Sequence, residues 1–132
     1  IATGGRRRVI WDGTNADAFP TYRMMDAAQM RVVGDGLQGV NAWDPAASPQ
    51  MTYLSNGKWS LTATLIAGKN FKFLAGDAWG AFDYEDNSGG STATGVAKKI
   101  KFDGPGADFK TPTTTGSYTI VLDENAQTVT IN

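Results

Sequence analysis

The stretch that decides the fold is residues 50–65, which read QMTYLSNGKWSLTATL. From 58 to 65, apolar side chains alternate with serine and threonine, the pattern of a strand with one buried face. A second apolar run precedes it, and Asn56-Gly57 between the two runs is a strong hairpin signal because both residues tolerate positive φ. The pattern predicts a β-hairpin over 50–65 with Trp59 in the core.

Similar alternation predicts strands in the rest of the chain. Residues 118–122 and 129–131 flank a polar turn and indicate a second hairpin. Single strands are expected over three further ranges, 30–33, 70–74 and 96–102. Near the start, 7–11 is compatible with a strand, whereas 22–29 has the composition of a short helical turn. Turn residues between β-branched and aromatic runs point to an all-β sandwich or barrel.

Composition excludes several classes of function. The 132 residues are enough for one domain, and they include neither cysteine nor histidine. Catalysis by Ser-His-Asp or Cys-His and zinc sites with thiolate or imidazole ligands are therefore excluded. Twelve basic residues balance thirteen acidic ones, which argues against nucleic-acid binding. No apolar run approaches the ~20 residues of a transmembrane helix. Neither a cofactor nor a metal is predicted.

Two long connections carry large aromatic side chains. Residues 34–49 contain Trp43, and residues 75–95 contain Trp79 and Tyr84. Loops longer than about 12–15 residues are uncommon inside a compact domain and are usually functional or disordered. Disordered segments are poor in aromatic residues, so these two connections are expected to be functional loops.

From residue 30 onward, short motifs follow one another in an order that carries a family resemblance. They are Val33-Gly34-Asp35, Trp43-Asp44, Pro49-Gln50-Met51, Gly57-Lys58-Trp59, Phe71-Lys72-Phe73 and the stretch GSYTIVLD at 116–123. This order resembles the repeated domains of the starch-utilisation outer-membrane proteins SusE and SusF of Bacteroidetes. The resemblance covers residues 30–132, whereas residues 1–29 have no counterpart and are either a leading strand or part of a preceding domain.

The resemblance implies a fold, a location and a function. The fold would be an immunoglobulin-like β-sandwich similar to carbohydrate-binding modules. It would belong to a lipoprotein on the extracellular face of the outer membrane, anchored outside this segment. Its function would be non-catalytic binding of a starch-like α-glucan or another polysaccharide, with other outer-membrane components of glycan uptake as possible partners.

The two loop tryptophans are the expected sugar platform. A sugar presents C–H bonds on its faces and hydroxyls around its rim, so its binding site needs a flat apolar surface with polar groups at the edge. Trp43 and Trp79 would form that surface if their loops converge at one end of the sheet. Each tryptophan is equally compatible with a loop anchor packed against the sheet.

Polar residues beside this platform complete the expected ligand-binding set, which comprises Lys72, Asp83, Tyr84 and Asn87. Lys72 points away from the Phe71 and Phe73 face, and the resemblance implies that it donates hydrogen bonds to sugar hydroxyls. A solvated strand lysine is the alternative. The acidic stretch 83–87 is also compatible with a calcium loop, since Ca²⁺ takes oxygen ligands, although the EF-hand pattern fails.

Two other functions remain as alternatives. The main alternative to glycan binding is a structural spacer or a protein-interaction module whose aromatics only close its core and loops. Glycoside hydrolysis needs two carboxylates that flank the scissile bond, and small β-sandwiches seldom offer a cleft for them. We therefore expect that the protein is not an enzyme.

Overall fold

The computed structural model describes residues 7–12, 21–26, 29–87, 89–102 and 107–132, the first two ranges as backbone. Within these ranges the chain forms strands and no helix, so the predicted all-β class is confirmed and no described segment is a helix that could cross a membrane. The strands are β1 (Arg7–Asp12), β2 (Thr21–Asp26), β3 (Arg31–Gly34), β4 (Thr52–Ser55), β5 (Lys58–Leu65), β6 (Asn70–Leu74), β7 (Asp83–Asp86), β8 (Lys98–Phe102), β9 (Phe109–Lys110), β10 (Gly116–Asp123) and β11 (Thr128–Ile131).

All strand pairs are antiparallel. β1 and β2 pair with each other, and the other strands form one sheet in the order β3-β6-β7-β8-β11-β10-β5-β4, with β9 also pairing β6. β8 joins the two halves of this sheet, because Lys98 and Lys99 pair with β11 while the residues from Ile100 onward pair with β7. The sheet is therefore continuous from β3 to β4.

The sheet curls so that its two ends approach each other. A bridge joins Arg31 at the start of β3 to Gln50, which lies just before β4. A second bridge joins Leu37, which follows β3, to Leu65 at the end of β5. These contacts bring the inner faces of the two halves together around one core.

The core is built from the inward-facing positions of both halves. Three phenylalanines form its aromatic centre: the ring centroids of Phe71 and Phe109 are 5.4 Å apart, and Phe73 lies 5.7 and 5.5 Å from them. Aromatic pairs of this kind add about 0.5–1.5 kcal/mol each beyond area burial. The full cluster comprises Met30, Val32, Leu37, Met51, Trp59, Leu65, Phe71, Phe73, Tyr84, Ile100, Phe109, Ile120, Leu122, Val129 and Ile131.

Both predicted hairpins are confirmed. β4 and β5 are joined by Asn56 and Gly57, whose φ angles of 50° and 76° are both positive, as the Asn-Gly signal requires. The β4–β5 register shifts between Tyr53 and Ser55, so β4 carries an irregularity. β10 and β11 form the C-terminal hairpin. Trp59 is buried, as predicted.

Three predictions about local structure are wrong. Residues 75–95 are not one long loop, because β7 lies within them and leaves a loop at 75–82. The predicted helical turn at 22–29 is replaced over most of its length by β2, which pairs with β1, the strand expected near 7–11. Val96 lies outside β8 and is exposed. The charged residues of β7 obscure its alternation, since Tyr84 is its single apolar residue.

Gly34 provides a test of the β3–β6 packing. A Cβ atom at Gly34 would overlap the Asn70 carbonyl oxygen and lie 2.6 Å from the Cα of Phe71, both in the backbone of β6. Gly34→Ala is therefore expected to lower the free energy of unfolding by about 1–3 kcal/mol in urea denaturation. Gly116→Ala is the control, because its Cβ would meet only Tyr118 atoms at 3.5 Å or more, and should change stability by less than about 0.5 kcal/mol. Equal midpoints for the two variants would contradict this account.

Candidate functional site

The candidate site lies on the outer face of β6. Because side chains alternate along a strand, the burial of Phe71 and Phe73 in the core directs Lys72 to the opposite face. Val33, which pairs with Lys72, and Leu74, the next outward residue, are also buried, but they lie outside the main core cluster. Lys72 therefore shares its face of the sheet with two buried apolar side chains.

Two carboxylates of β7 hold this ammonium group. Tyr84 points into the core, so its neighbours Asp83 and Glu85 face outward beside Lys72. The Lys72 Nζ atom lies 2.7 Å from Asp83 Oδ2 and 3.5 Å from Glu85 Oε1. The side chains of Lys72, Asp83 and Glu85 are only 16, 15 and 12% exposed. The arrangement is a shielded three-membered ion-pair network.

Trp79 is the exposed member of the site. It belongs to the 75–82 loop, which is closed by a 2.8 Å hydrogen bond from the Ala75 N–H to the Phe82 carbonyl oxygen. The Phe82 ring packs against Tyr84 at 5.1 Å and fixes the end of the loop on the core. The Trp79 side chain is 54% exposed, and its ring centroid lies 5.4 Å from Lys72 Nζ, within cation–π range.

We refer to Lys72, Trp79, Asp83 and Glu85 as the Trp79 site. Burial lowers the pKa of Lys72, but the hydrogen bond and charge of Asp83, together with Glu85, outweigh it and raise the pKa above its ordinary value. Burial and the charge of Asp83 raise the pKa of Glu85, with Lys72 offsetting part of the rise. Lys72 is therefore a firmly charged cation in a site where the carboxylates repel each other.

Two further acids lie within electrostatic range. Burial raises the pKa of Asp108, the nearby charges of Asp35 and Asp83 add to the rise, and Lys72 opposes it. The Asp35 side chain also accepts a 2.8 Å hydrogen bond from the Asn70 N–H. The sequence placed Glu85 in the acidic stretch 83–87 but not in the expected ligand-binding set, and it gave no indication of Asp108. The signal for Glu85 was its spacing of two from Asp83 on either side of an aromatic residue.

Trp43 lies outside the Trp79 site, in the loop that follows β3. It is half-buried, has a φ of 55°, and its N–H bonds the Gly34 carbonyl oxygen at 3.4 Å. Its loop is fastened by Arg31, whose Nη1 atom donates to three loop carbonyl oxygens. They belong to Pro45, Ala46 and Ser48, at 3.3, 3.2 and 2.7 Å.

The two tryptophan loops do not leave the sheet at one end. β3 and β6 are antiparallel neighbours, with Gly34 at the end of β3 opposite Phe71 near the start of β6. The loop that follows β3 and the loop that follows β6 therefore leave at opposite ends. The Trp43 and Trp79 loops therefore do not converge at one end of the sheet, as a shared sugar platform would require.

The remaining predicted site residues are separated as well. The structure brings Lys72, Trp79 and Asp83 together, but no hydrogen bond, ion pair or ring contact of the described residues joins Asn87 or Trp43 to them. Asn87 is exposed just after β7. Tyr84 is 0% exposed, so its expected place in a binding loop is wrong: it is a core residue of β7.

The acidic stretch 83–87 does not form a calcium loop. Asp83 and Glu85 face outward to Lys72, whereas Asp86 is buried and pairs with Lys98 at 2.5 Å. The carboxylates therefore lie on opposite faces of β7 and cannot converge on one ion. Over the described ranges, no group of three or more acidic side chains is placed to hold a metal.

Comparison of the chain with family models and with curated proteins gives no match.

Glu85 makes the electrostatics of the site testable. A carboxyl group whose pKa is raised by folding contributes stability below its unfolded pKa and loses that contribution as the pH rises through its folded pKa. Glu85→Gln mimics the neutral form, so its unfolding free energy relative to the wild type should increase between about pH 4 and pH 8. Urea denaturation at several pH values measures the difference. Asp77→Asn, at an exposed loop position, controls for the change in net charge. A Glu85→Gln effect that is equal at both ends of the range would contradict the assignment.

Proposed function

We propose that this protein binds a glycan, without catalysis, at the Trp79 site. The proposal rests on one observation: an indole ring that is 54% exposed stands beside a shielded network of one ammonium group and two carboxylates. A sugar ring needs this combination of a flat apolar surface and nearby polar groups. Trp79 would stack on a sugar face, and Asp83 would accept hydrogen bonds from hydroxyls at the rim.

The fold supports the same proposal at a coarser level. We propose that the curled sheet is a variant of the immunoglobulin-like β-sandwich of the SusE and SusF domains. In that setting the protein would be a surface module of the outer membrane that presents an α-glucan or another polysaccharide to partners in glycan uptake. The motif Phe71-Lys72-Phe73, part of the resemblance, is also the strand on which the Trp79 site is built.

A binding role fits the acids of the site better than hydrolysis. Hydrolysis places two carboxylates on either side of a glycosidic bond. Asp83 and Glu85 instead converge on the same ammonium group, so the two carboxylates lie together and are not placed on either side of a bound glycosidic bond. Incubation with polysaccharides is therefore expected to release no reducing sugar.

The direct test is native affinity electrophoresis in gels that contain starch, pullulan, dextran, xylan or mannan. We expect at least one polysaccharide to retard the wild-type protein. Trp79→Ala should reduce that retardation by about tenfold in apparent affinity, because stacking against an aromatic ring and the buried area are both lost. The circular dichroism spectrum should be unchanged, since Trp79 is an exposed loop residue.

Leu54→Ala is the matched control. Leu54 is also 54% exposed, but it lies on β4, which pairs with β5 and not with the strands β6 and β7 that carry the Trp79 site. The substitution therefore removes exposed apolar surface outside the site and should leave retardation unchanged. Migration unaffected by every polysaccharide, or equal losses in the two variants, would refute the proposal in favour of a spacer or protein-interaction module.

A further inference from the structure

Two of the three hydrogen-bond donors of Lys72 are already used inside the protein. A lysine ammonium group has three N–H donors and no acceptor. Asp83 takes one donor at 2.7 Å and Glu85 takes a second at 3.5 Å. The remaining side of the ammonium group faces the Trp79 ring, 5.4 Å from its centroid. Little capacity is left for a sugar hydroxyl, which is the partner that the sequence resemblance implied.

The residues beside Trp79 in its loop are small or polar and offer the indole little to pack against. Its loop neighbours Gly76, Asp77 and Gly80 offer little apolar surface, and Gly80 adopts a φ of 100°. Phe82 fixes the C-terminal end of the loop on Tyr84, three residues from Trp79 along the chain. Among the ring and cation contacts of the described residues, Lys72 is the partner of the Trp79 ring.

We propose that Lys72 is a positioning residue that holds the Trp79 ring in place for ligand binding, with Asp83 and Glu85 fixing the ammonium group beneath it. Ligand affinity would then depend on Lys72 through the order of the indole and not through a hydrogen bond to the ligand. The inference deepens the proposed function, on which its affinity component rests. Its structural component, the orientation of Trp79 by Lys72, stands apart from any ligand.

The position of the Lys72 ammonium group explains how it can orient the Trp79 ring. The carboxylates pull the ammonium group toward β7, and the loop that follows β6 returns to β7 at Phe82. The ammonium group therefore lies beneath the loop that carries Trp79. A cation shielded from water attracts an aromatic face more strongly than an exposed one does. The low exposure of Lys72, Asp83 and Glu85 thus strengthens the contact that orients the exposed ring.

The experiment compares Lys72→Met with Lys72→Arg in ¹⁵N-labelled protein. Methionine keeps much of the length of the side chain without the charge, and arginine keeps the charge. The indole N–H signal of Trp79, assigned by its disappearance in Trp79→Phe, is followed by its chemical shift and heteronuclear NOE. In Lys72→Met we expect the Trp79 indole to become more mobile while the buried Trp59 indole stays unchanged, and Lys72→Arg should restore most of its order.

Affinity for the retarding polysaccharide is measured on the same variants. Lys72→Met should weaken binding by about tenfold, and Lys72→Arg by less than about threefold. Lys58→Met is the matched control, because Lys58 is a strand lysine whose contact with Asp123 is long at 3.9 Å. If Lys72→Met does not fold, Asp83→Asn serves in its place. This substitution removes the negative charge closest to the ammonium group and should loosen the indole in the same direction.

The outcomes separate the inference from the function it rests on. Loss of Trp79 order together with weaker binding, both recovered by arginine, would support the inference. Weaker binding with an equally ordered indole would overturn it, because Lys72 would then contact the glycan itself, while the glycan-binding function would stand. An ordered indole with unchanged binding would overturn it as well. If the wild-type protein binds none of the polysaccharides, the proposed function fails, and the indole measurement alone decides whether Lys72 orients Trp79.

Discussion

The packing of Phe71 and Phe73 against Phe109 is the interaction on which the rest of this half of the protein depends. β6 pairs with β3, β7 and β9, so the face on which its phenylalanines lie sets the orientation of its neighbours. A register slip of one residue would bring Lys72 into the core and expose both rings. The position of a charged group on the outer face is thus a consequence of how the core is packed.

The ion-pair network of Lys72, Asp83 and Glu85 contributes more to the positions of these side chains than to the stability of the fold. Removing charges from water is costly, and a partly buried pair recovers that cost only with well-placed partners. Here one cation is shared by two carboxylates. The pKa of Glu85 remains raised, which indicates that the attraction of Lys72 does not fully offset the burial of Glu85 and its repulsion by Asp83. An imperfectly compensated network is often the mark of a functional position, because stability alone would favour apolar residues there.

The sequence predicted the hairpins well because their signals are local. Alternation and Asn56-Gly57 identify the β4–β5 hairpin without reference to any distant residue. The prediction failed at β7, because its acidic residues look like a polar loop in the sequence. The structure shows that two of them, Asp83 and Glu85, are paired with Lys72 on the neighbouring strand. The site was also predicted only in part. Lys72, Trp79 and Asp83 do lie together, as expected. The place of Glu85 beside Lys72 and the separation of Trp43 from the site both depend on how the strands pair. Strand order across a sheet is long-range information that periodicity does not contain.

The curl of the sheet also limits the pairing of its edge strands with strands of other protein molecules. The bridge between Arg31 and Gln50 occupies the free edge of β3, so that edge does not offer a row of unpaired backbone groups. The opposite edge, β4, has only four residues and is interrupted by its irregular register near Leu54. Short and distorted edges are how natural β-proteins avoid adding strands from other chains. Neither edge of this sheet therefore offers the long regular strand to which another chain could add.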